Sequence, residues 1–235
     1  MSAINKDYPR GISNLWTERR RVTPEAMTKF GVTKEGVTFN PYNFTRTYPD
    51  SRSLLLAIDL FGEDLIGVEV GVYRAESFCT KLQVCKNIKT LYGVDPYAPY
   101  SDLIGGGGGG RVGMEVDAKS IDFARETALH YIHWSGEKNR AEILEMTSSE
   151  AAAKFEDASL DFAFVDSYLS TQDVIDHLED WYDKVKVGGL FCGHDYFDRE
   201  VYEGVAQWRK LRNIETRISE YDNCFAWIKR EGEAK

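Results

Sequence analysis

Short apolar runs alternate with amphipathic stretches over residues 54–230, and this alternation predicts an α/β fold. The strand-like runs are Leu65–Val70, Thr90–Val94, Ala141–Leu144, Leu160–Val165, Gly189–Cys192, Glu215–Ile218 and Cys224–Ile228. Helical patterns separate most of them, so right-handed crossovers should make the strands parallel. Only a short polar link joins the last two, which predicts an antiparallel hairpin. We therefore predict a doubly wound, mostly parallel seven-stranded sheet with a C-terminal antiparallel hairpin.

Apolar residues at helical spacing predict two helices in the second half of the chain, one over Thr171–Lys184 and one after it. Their apolar positions are Val174, Leu178 and Trp181 in the first, and Val201, Val205, Trp208 and Leu211 in the second. The apolar stretch 54–61, closed by Gly62, predicts a further helix with a glycine stop.

Residues 1–53 lack sustained periodicity and hold four of the six prolines. They carry nine basic and five acidic side chains, a net charge of +4, while the whole chain has −9. We interpret 1–53 as an N-terminal arm that is either solvated or in contact with an anionic substrate or an acidic partner surface, and 54–235 as the main domain. Six consecutive glycines, Gly105–Gly110, predict a loop that is either a slack connection or a lid over a ligand.

The charge balance argues against a nucleic-acid partner, because such proteins usually present a basic face to phosphate. No apolar run is long enough to span a membrane, and the first residues do not have the pattern of a signal peptide. The four cysteines are scattered, with no CxxC pair, which suits a reducing compartment. We expect a cytoplasmic protein.

Ligands of open parallel sheets bind beyond the carboxyl ends of the strands, so the residues that follow each strand are the candidate site. Glu69 and Gly71 lie at the end of the first predicted strand, and Asp95 follows the second, 26 residues after Glu69. A carboxylate near this offset suits the two hydroxyls of a ribose, because it can accept a hydrogen bond from each.

A third cluster follows two further buried strands, the first ending in Asp166 and the second in His194 and Asp195. If these strands are neighbours, the three side chains come within reach of one another. Two carboxylates and an imidazole suit a divalent metal ion or a general-base site, and both interpretations stay open.

The segments VEVGVYRAES, YGVDPY, DFAFVDS and WYDKVKVGGLFCGHDY, in this order, resemble the class I S-adenosylmethionine-dependent methyltransferases. The resemblance is greatest to the small-molecule and sugar O-methyltransferases, the branch of macrocin O-methyltransferase, and covers about residues 54–230. It implies a Rossmann-like methyltransferase fold, S-adenosylmethionine as cofactor and O-methylation of a sugar-like acceptor. It also implies a homo-oligomer as one option for assembly, with the arm 1–53 in contact with the acceptor or with a second copy.

The same resemblance implies roles for individual residues. Cofactor binding falls to Glu69, Gly71, Tyr73, Ser77, Asp95, Thr147, Ser148 and Asp166. Within this set Glu69 and Gly71 hold the methionine moiety, Asp95 the ribose hydroxyls, and Thr147 and Ser148 border the adenine. In metal-dependent members, residues matching Asp166, His194 and Asp195 hold Mg²⁺ and form the catalytic group.

Two departures from the family pattern stand out. Ala75 occupies the position of a second glycine, and Leu169 that of a histidine often assigned as general base. His194 is then the replacement base, because it is the only histidine at a predicted strand end. Of the others, His130 and His133 share one predicted helix and His177 lies on the next; surface or packing roles fit all three.

Three other functions are alternatives to methyl transfer to a small molecule. The loss of the usual base is compatible with a cofactor-binding scaffold without turnover. Asp95-Pro96-Tyr97 superficially resembles a base-stacking motif of nucleic-acid methyltransferases, but it follows the second strand rather than the fourth. An NAD-linked oxidoreductase would need a glycine pattern for pyrophosphate that the chain lacks.

Overall fold

A seven-stranded sheet forms the centre of the computed structural model, which describes residues 32–33, 36–37, 58, 61–101, 115–116, 118–221 and 223–233. Its strands are β1 (Leu65–Val70), β2 (Ile88–Val94), β3 (Ala141–Leu144), β4 (Leu160–Val165), β5 (Val185–Gly193), β6 (Ser219–Tyr221) and β7 (Cys224–Ile228). They lie in the order β6-β7-β5-β4-β1-β2-β3. Strands β1 to β5 are parallel to their neighbours, and β7 runs antiparallel to both β5 and β6. The predicted doubly wound sheet with a terminal hairpin is confirmed.

Five helices of the described segments connect these strands. They are α1 (Glu76–Val84), α2 (Ala118–Ser135), α3 (Ser148–Ala152), α4 (Thr171–Tyr182) and α5 (Arg199–Leu211). Two small antiparallel pairs accompany the sheet, 32–33 with 36–37 and 100–101 with 115–116. None of the helices in the described ranges combines the length and apolar character that a bilayer crossing requires.

Helices cover both faces of the sheet, which explains why the central strands read as continuous apolar runs. On one face, Phe78 and Leu82 of α1 pack with Phe164 of β4. On the other, α4 and α5 pack through an aromatic cluster in which the rings of Tyr182 and Trp208 meet edge to face at 5.0 Å between centroids. Because helices cover both faces of the sheet, its strands are accessible at their ends.

Several predicted boundaries were wrong. β2 begins two residues earlier and β5 extends over 185–193 instead of 189–192. The sixth strand lies at 219–221, not at 215–218, because the tight hairpin pairs Tyr221 with Cys224 and the ladder must start directly beside the turn. The predicted helix to 184 ends at Tyr182.

Leu211 was placed wrongly on the buried face of α5. Val201, Val205 and Trp208 are buried there, but Leu211 is 73% exposed. At about 100° per residue, Leu211 lies about 80° from Val201 around the helix, at the edge of the apolar stripe. The predictions for the arm 1–53, the helix over 54–61 and the loop at 105–110 fall almost entirely outside the described residues.

Candidate active site

A cavity of about 550 Å³ opens beyond the carboxyl ends of β1, β2, β4 and β5. These strands are the ones around the point where strand order reverses, which is where open α/β sheets bind ligands. Its size is that of an ordinary small-molecule site. The predicted site residues that line it are Glu69, Gly71, Tyr73, Ser77, Asp95, Asp166, His194 and Asp195.

Gly71 makes the turn out of β1 with a left-handed φ of +91°. Its amide donates to the carbonyl of Val94 at 2.8 Å, and a Cβ at this position would overlap the backbone of Asp166. Both the dihedral and the close approach require glycine. The glycine therefore brings the ends of β1 and β4 together, which places Asp166 at the wall of the cavity.

Left-handed backbone at non-glycine residues recurs around this edge of the sheet. Tyr73 and Ala75 follow β1 with φ of 48° and 60°, Tyr97 follows β2 with φ of 44°, and Asp195 follows β5 with φ of 55°. Such residues cost free energy and persist where the surroundings hold them in place, often at functional sites. At Ala75 the observation also explains why the resemblance places a glycine at this position.

Asp95 holds the loop after β1. Its Oδ2 accepts hydrogen bonds from the amides of Val72 (3.1 Å) and Tyr73 (2.8 Å), and its Oδ1 accepts from the amide of Tyr97 at 2.9 Å. The Tyr97 hydroxyl in turn donates to the carbonyl of Tyr73 at 3.0 Å. The carboxylate thus ties the loops after β1 and β2 together while it borders the cavity.

Asp166, His194 and Asp195 form a compact cluster, since one ligand atom from each lies within 4.8 Å of the others. His194 Nδ1 is 3.0 Å from Asp195 Oδ1 and 3.7 Å from Asp166 Oδ1. The pairing of β4 with β5 produces this, because Val165 and Gly193 are partners in the ladder and the three residues follow them directly. Asn223 Nδ2 also donates to Asp195 Oδ1 at 3.1 Å.

The electrostatics of the cluster suit a bound cation or proton. Burial raises the pKa of Asp166 to about 7; the His194 charge lowers it, while the carboxylates of Asp195 and Glu69 raise it further. Two acids and an imidazole are a donor set that Mg²⁺ and similar ions accept, so the residues present fit a divalent metal. They equally fit a base that takes a proton near neutral pH.

The structure does not bring Thr147 and Ser148 to this cavity. Thr147 is the N-cap of α3, where it forms a reciprocal capping box with Glu150. The Ser148 hydroxyl donates to Asp180 Oδ2 and accepts from Trp181 Nε1, both at 2.9 Å. The expectation that Thr147 and Ser148 border the adenine gains no support from these bonds; those of Ser148 join α3 to α4.

Sequence reasoning missed a buried lysine next to the site. Lys81 of α1 is 1% exposed, and its Nζ lies 2.9 Å from Glu69 Oε2. The signal was present, since Phe78, Leu82 and Cys85 at helical spacing place Lys81 on the apolar face of its helix. A lysine on such a face is buried and needs a partner.

Other cavity residues were also overlooked. Arg74 lines the cavity, with its guanidinium 5.0 Å from the Tyr73 ring centroid. Tyr168 and Leu169 line it beyond Asp166, so the residue that replaces the family histidine does face the site. Of the remaining histidines, His177 Nδ1 contacts the carbonyl of Ser167 at 2.7 Å, and His130 and His133 are exposed on α2.

Comparison with known proteins agrees with this geometry. A family model described as a methyltransferase domain matches residues 68–196. Among solved structures, a cofactor-bound protein from MTB superposes with a TM-score of 0.55 at 10% identity, covering 88% of this chain and 89% of its own. A candidate O-methyltransferase from Klebsiella pneumoniae gives 0.52 at 14% identity, with coverage of 96% and 99%. A methyltransferase from Geobacter sulfurreducens gives 0.51 at 17% identity, with coverage of 77% and 78%.

At these identities the solved structures establish the fold, and no curated protein sequence matches the chain. The family model spans more than half of the chain, from inside β1 to the residue after Asp195. It therefore covers the turn at Gly71, the acid Asp95 and the cluster at the ends of β4 and β5. The chain belongs to the methyltransferase-domain family and is an S-adenosylmethionine-dependent methyltransferase.

Proposed function

We propose that the protein transfers the methyl group of S-adenosylmethionine to a hydroxyl oxygen of a small, sugar-like molecule. The observation that carries this proposal is the cluster of Asp166, His194 and Asp195, which shares one cavity with Gly71 and Asp95. One part of the cavity thus suits a nucleoside cofactor, and the other suits the activation of an oxygen nucleophile.

On the cofactor side, we assign Asp95 to the ribose hydroxyls. Oxygens of the carboxylate already accept three backbone amides, and further lone-pair positions remain for hydroxyl donors. Gly71 and Tyr73 line the same region, in the loop that Asp95 holds in place. A preformed loop of this kind lowers the entropic cost of binding the cofactor.

On the acceptor side, the hydroxyl oxygen attacks the sulfonium methyl carbon in line with the departing sulfur. The oxygen–carbon bond forms while the carbon–sulfur bond breaks, and S-adenosylhomocysteine leaves with the electron pair. We assign the hydroxyl proton to Asp166 rather than to His194, the base expected from the sequence, because burial raises the pKa of Asp166 to about 7, which suits a general base at neutral pH. His194 and Asp195 orient this carboxylate and the acceptor, so that catalysis rests mainly on alignment.

A divalent metal ion is the second component that the cluster fits. Asp166, His194 and Asp195 would hold it, and a bound ion would lower the pKa of the acceptor hydroxyl. The residues themselves would then position two neighbouring hydroxyls of the acceptor beside the methyl donor.

The charges that face the cavity support the proposed class of acceptor. Carboxylates outnumber basic groups in the lining. The acids are Glu69, Glu76, Asp95, Asp166 and Asp195, the basic groups are Arg74 and His194, and the other polar residues are Tyr73, Ser77, Ser167 and Tyr168. Acidic walls accept hydrogen bonds from neutral, hydroxyl-rich molecules and repel the phosphates of nucleic acid. A sugar or glycoside fits this lining.

Two measurements, made one after the other, test the proposed function. Isothermal titration with S-adenosylhomocysteine should show binding, and methyl transfer to a panel of sugars and nucleotide sugars should give a methylated product. Reactions with added Mg²⁺ are compared with reactions in EDTA; a drop of at least tenfold in EDTA supports the metal. Cofactor binding with no transfer to any hydroxyl acceptor in the panel, or transfer to a nucleic acid instead, would refute the proposed reaction.

A further inference from the structure

One oxygen of Glu69 is buried at the cavity without a hydrogen-bond partner among the described residues. Glu69 is fully buried near the end of β1, and its Oε2 is bound to Lys81 at 2.9 Å. Its other oxygen, Oε1, has no such contact, although the residue lines the cavity. An unpartnered buried carboxylate oxygen is costly, and therefore indicates that a ligand supplies the missing donor.

Lys81 fixes the orientation of this carboxylate. Its Nζ donates to Glu69 Oε2 and to the hydroxyl of Ser77, and lies 3.7 Å from the centroid of the Phe164 ring. The ammonium is thereby held from three sides, against the two side-chain oxygens and the aromatic face. Because Lys81 binds Oε2, the remaining oxygen is the one left for a ligand.

The family resemblance implies that Glu69 holds the methionine moiety of the cofactor, which carries an α-ammonium group. We propose that Lys81 is the positioning residue of this contact: by holding Oε2 it leaves Oε1, at the cavity, as the acceptor for that ammonium group. This inference rests on the proposed use of S-adenosylmethionine, whose methionine end carries the only ammonium group of that cofactor. It assigns Lys81, which the family motifs do not include, a function in cofactor recognition.

The electrostatics of the pair explain why the lysine is required. Burial raises the pKa of Glu69, and Lys81 is the strongest influence that opposes this rise. Without the lysine, the pKa of the Glu69 carboxyl group would be raised further, which would weaken its attraction for an ammonium group. The lysine also leaves the oxygen that it does not contact available as a charge-assisted acceptor.

Two ligands isolate the proposed contact. One is S-adenosylhomocysteine, and the other is its analogue that lacks only the α-amino group and retains the carboxylate. The wild-type protein should bind the first at least tenfold more tightly, as expected for a hydrogen bond between charged groups. If wild-type protein binds neither ligand, the cofactor assignment itself fails. If it binds both equally, the cofactor assignment stands and the ammonium contact is refuted.

Variants then test the two residues. Glu69→Gln and Lys81→Met should each bring the ratio of the two dissociation constants to about twofold or less, mainly by weakening S-adenosylhomocysteine. A lysine with a purely structural role would instead weaken both ligands by the same factor, and that result would overturn the positioning role. Lys86→Met is the matched control, because Lys86 is 63% exposed and pairs with Glu137 outside the cavity; it should keep the wild-type ratio.

The double variant Glu69→Gln/Lys81→Met covers the case in which a single variant fails to fold, since it leaves no buried charge unpaired. It should show the same low ratio as Glu69→Gln alone, because the lysine acts only through the glutamate. Retention of the wild-type ratio in the folded double variant would contradict the proposal.

Discussion

Gly71 and Asp166 are in backbone contact where β1 and β4 end. The amide of Asp166 donates to the carbonyl of Val70 at 2.8 Å, and a methyl group on Gly71 would overlap the Asp166 carbonyl oxygen. The turn assigned to the cofactor and the acid assigned to the chemistry are therefore held at a fixed separation. Positioning of this kind is what an in-line methyl transfer requires.

Substitution of Gly71 by alanine should damage both stability and cofactor binding. The left-handed φ and the overlap together should lower the free energy of unfolding by about 2–4 kcal/mol, measured by urea denaturation. Gly136→Ala is the control: its φ is +77°, but a Cβ there would meet nothing within 4 Å, so only about 1 kcal/mol should be lost. Equal losses in the two variants would show that the close approach to Asp166 is unimportant.

The Asp95→Ala variant should bind S-adenosylhomocysteine at least tenfold more weakly in isothermal titration. It loses the acceptor for the ribose hydroxyls and for the amides of Val72, Tyr73 and Tyr97. Asp176→Ala, an exposed change on α4 outside the cavity, controls for the loss of one negative charge. Unchanged affinity in Asp95→Ala would refute the ribose assignment.

The Asp195→Asn variant should lose methyl transfer by at least a hundredfold while its affinity for S-adenosylhomocysteine stays within about twofold. Asparagine tolerates the left-handed backbone at this position, so the change removes charge with little effect on the fold. Asp122→Ala on the exposed side of α2 should retain full activity. Full turnover in Asp195→Asn would exclude a catalytic function for this acid.

Removal of the buried ion pair should cost much more stability than removal of an exposed one. Both Lys81 and Glu69 have side chains that are 1% exposed, so Lys81→Met should lower the free energy of unfolding by about 3–5 kcal/mol. Lys86→Met breaks an ion pair whose lysine is 63% exposed and should cost about 1 kcal/mol or less. Similar losses for the two lysines would mean that the buried charge has a further partner.

Periodicity sufficed to predict most of the fold because burial on both faces leaves a strong apolar signal. The runs 65–70, 141–144, 160–165 and 224–228 are strands with the predicted bounds. The prediction failed at β6. The predicted segment 215–218 lies just before the observed strand, whose position at 219–221 is set by its pairing with β7. Hydrogen-bond register depends on the partner strand, which a single segment does not reveal.

The order of the strands and helices could be predicted from the sequence, as could the acid at the end of β1 and those that follow β2, β4 and β5, because these features depend on residues close together in the chain. Which of these residues come into contact depends on the folded structure. It placed Asp166, His194 and Asp195 within 4.8 Å, left Thr147 and Ser148 outside the cavity, and paired Glu69 with Lys81. Such contacts depend on strand order and on which helix face is buried, which are properties of the whole packed chain.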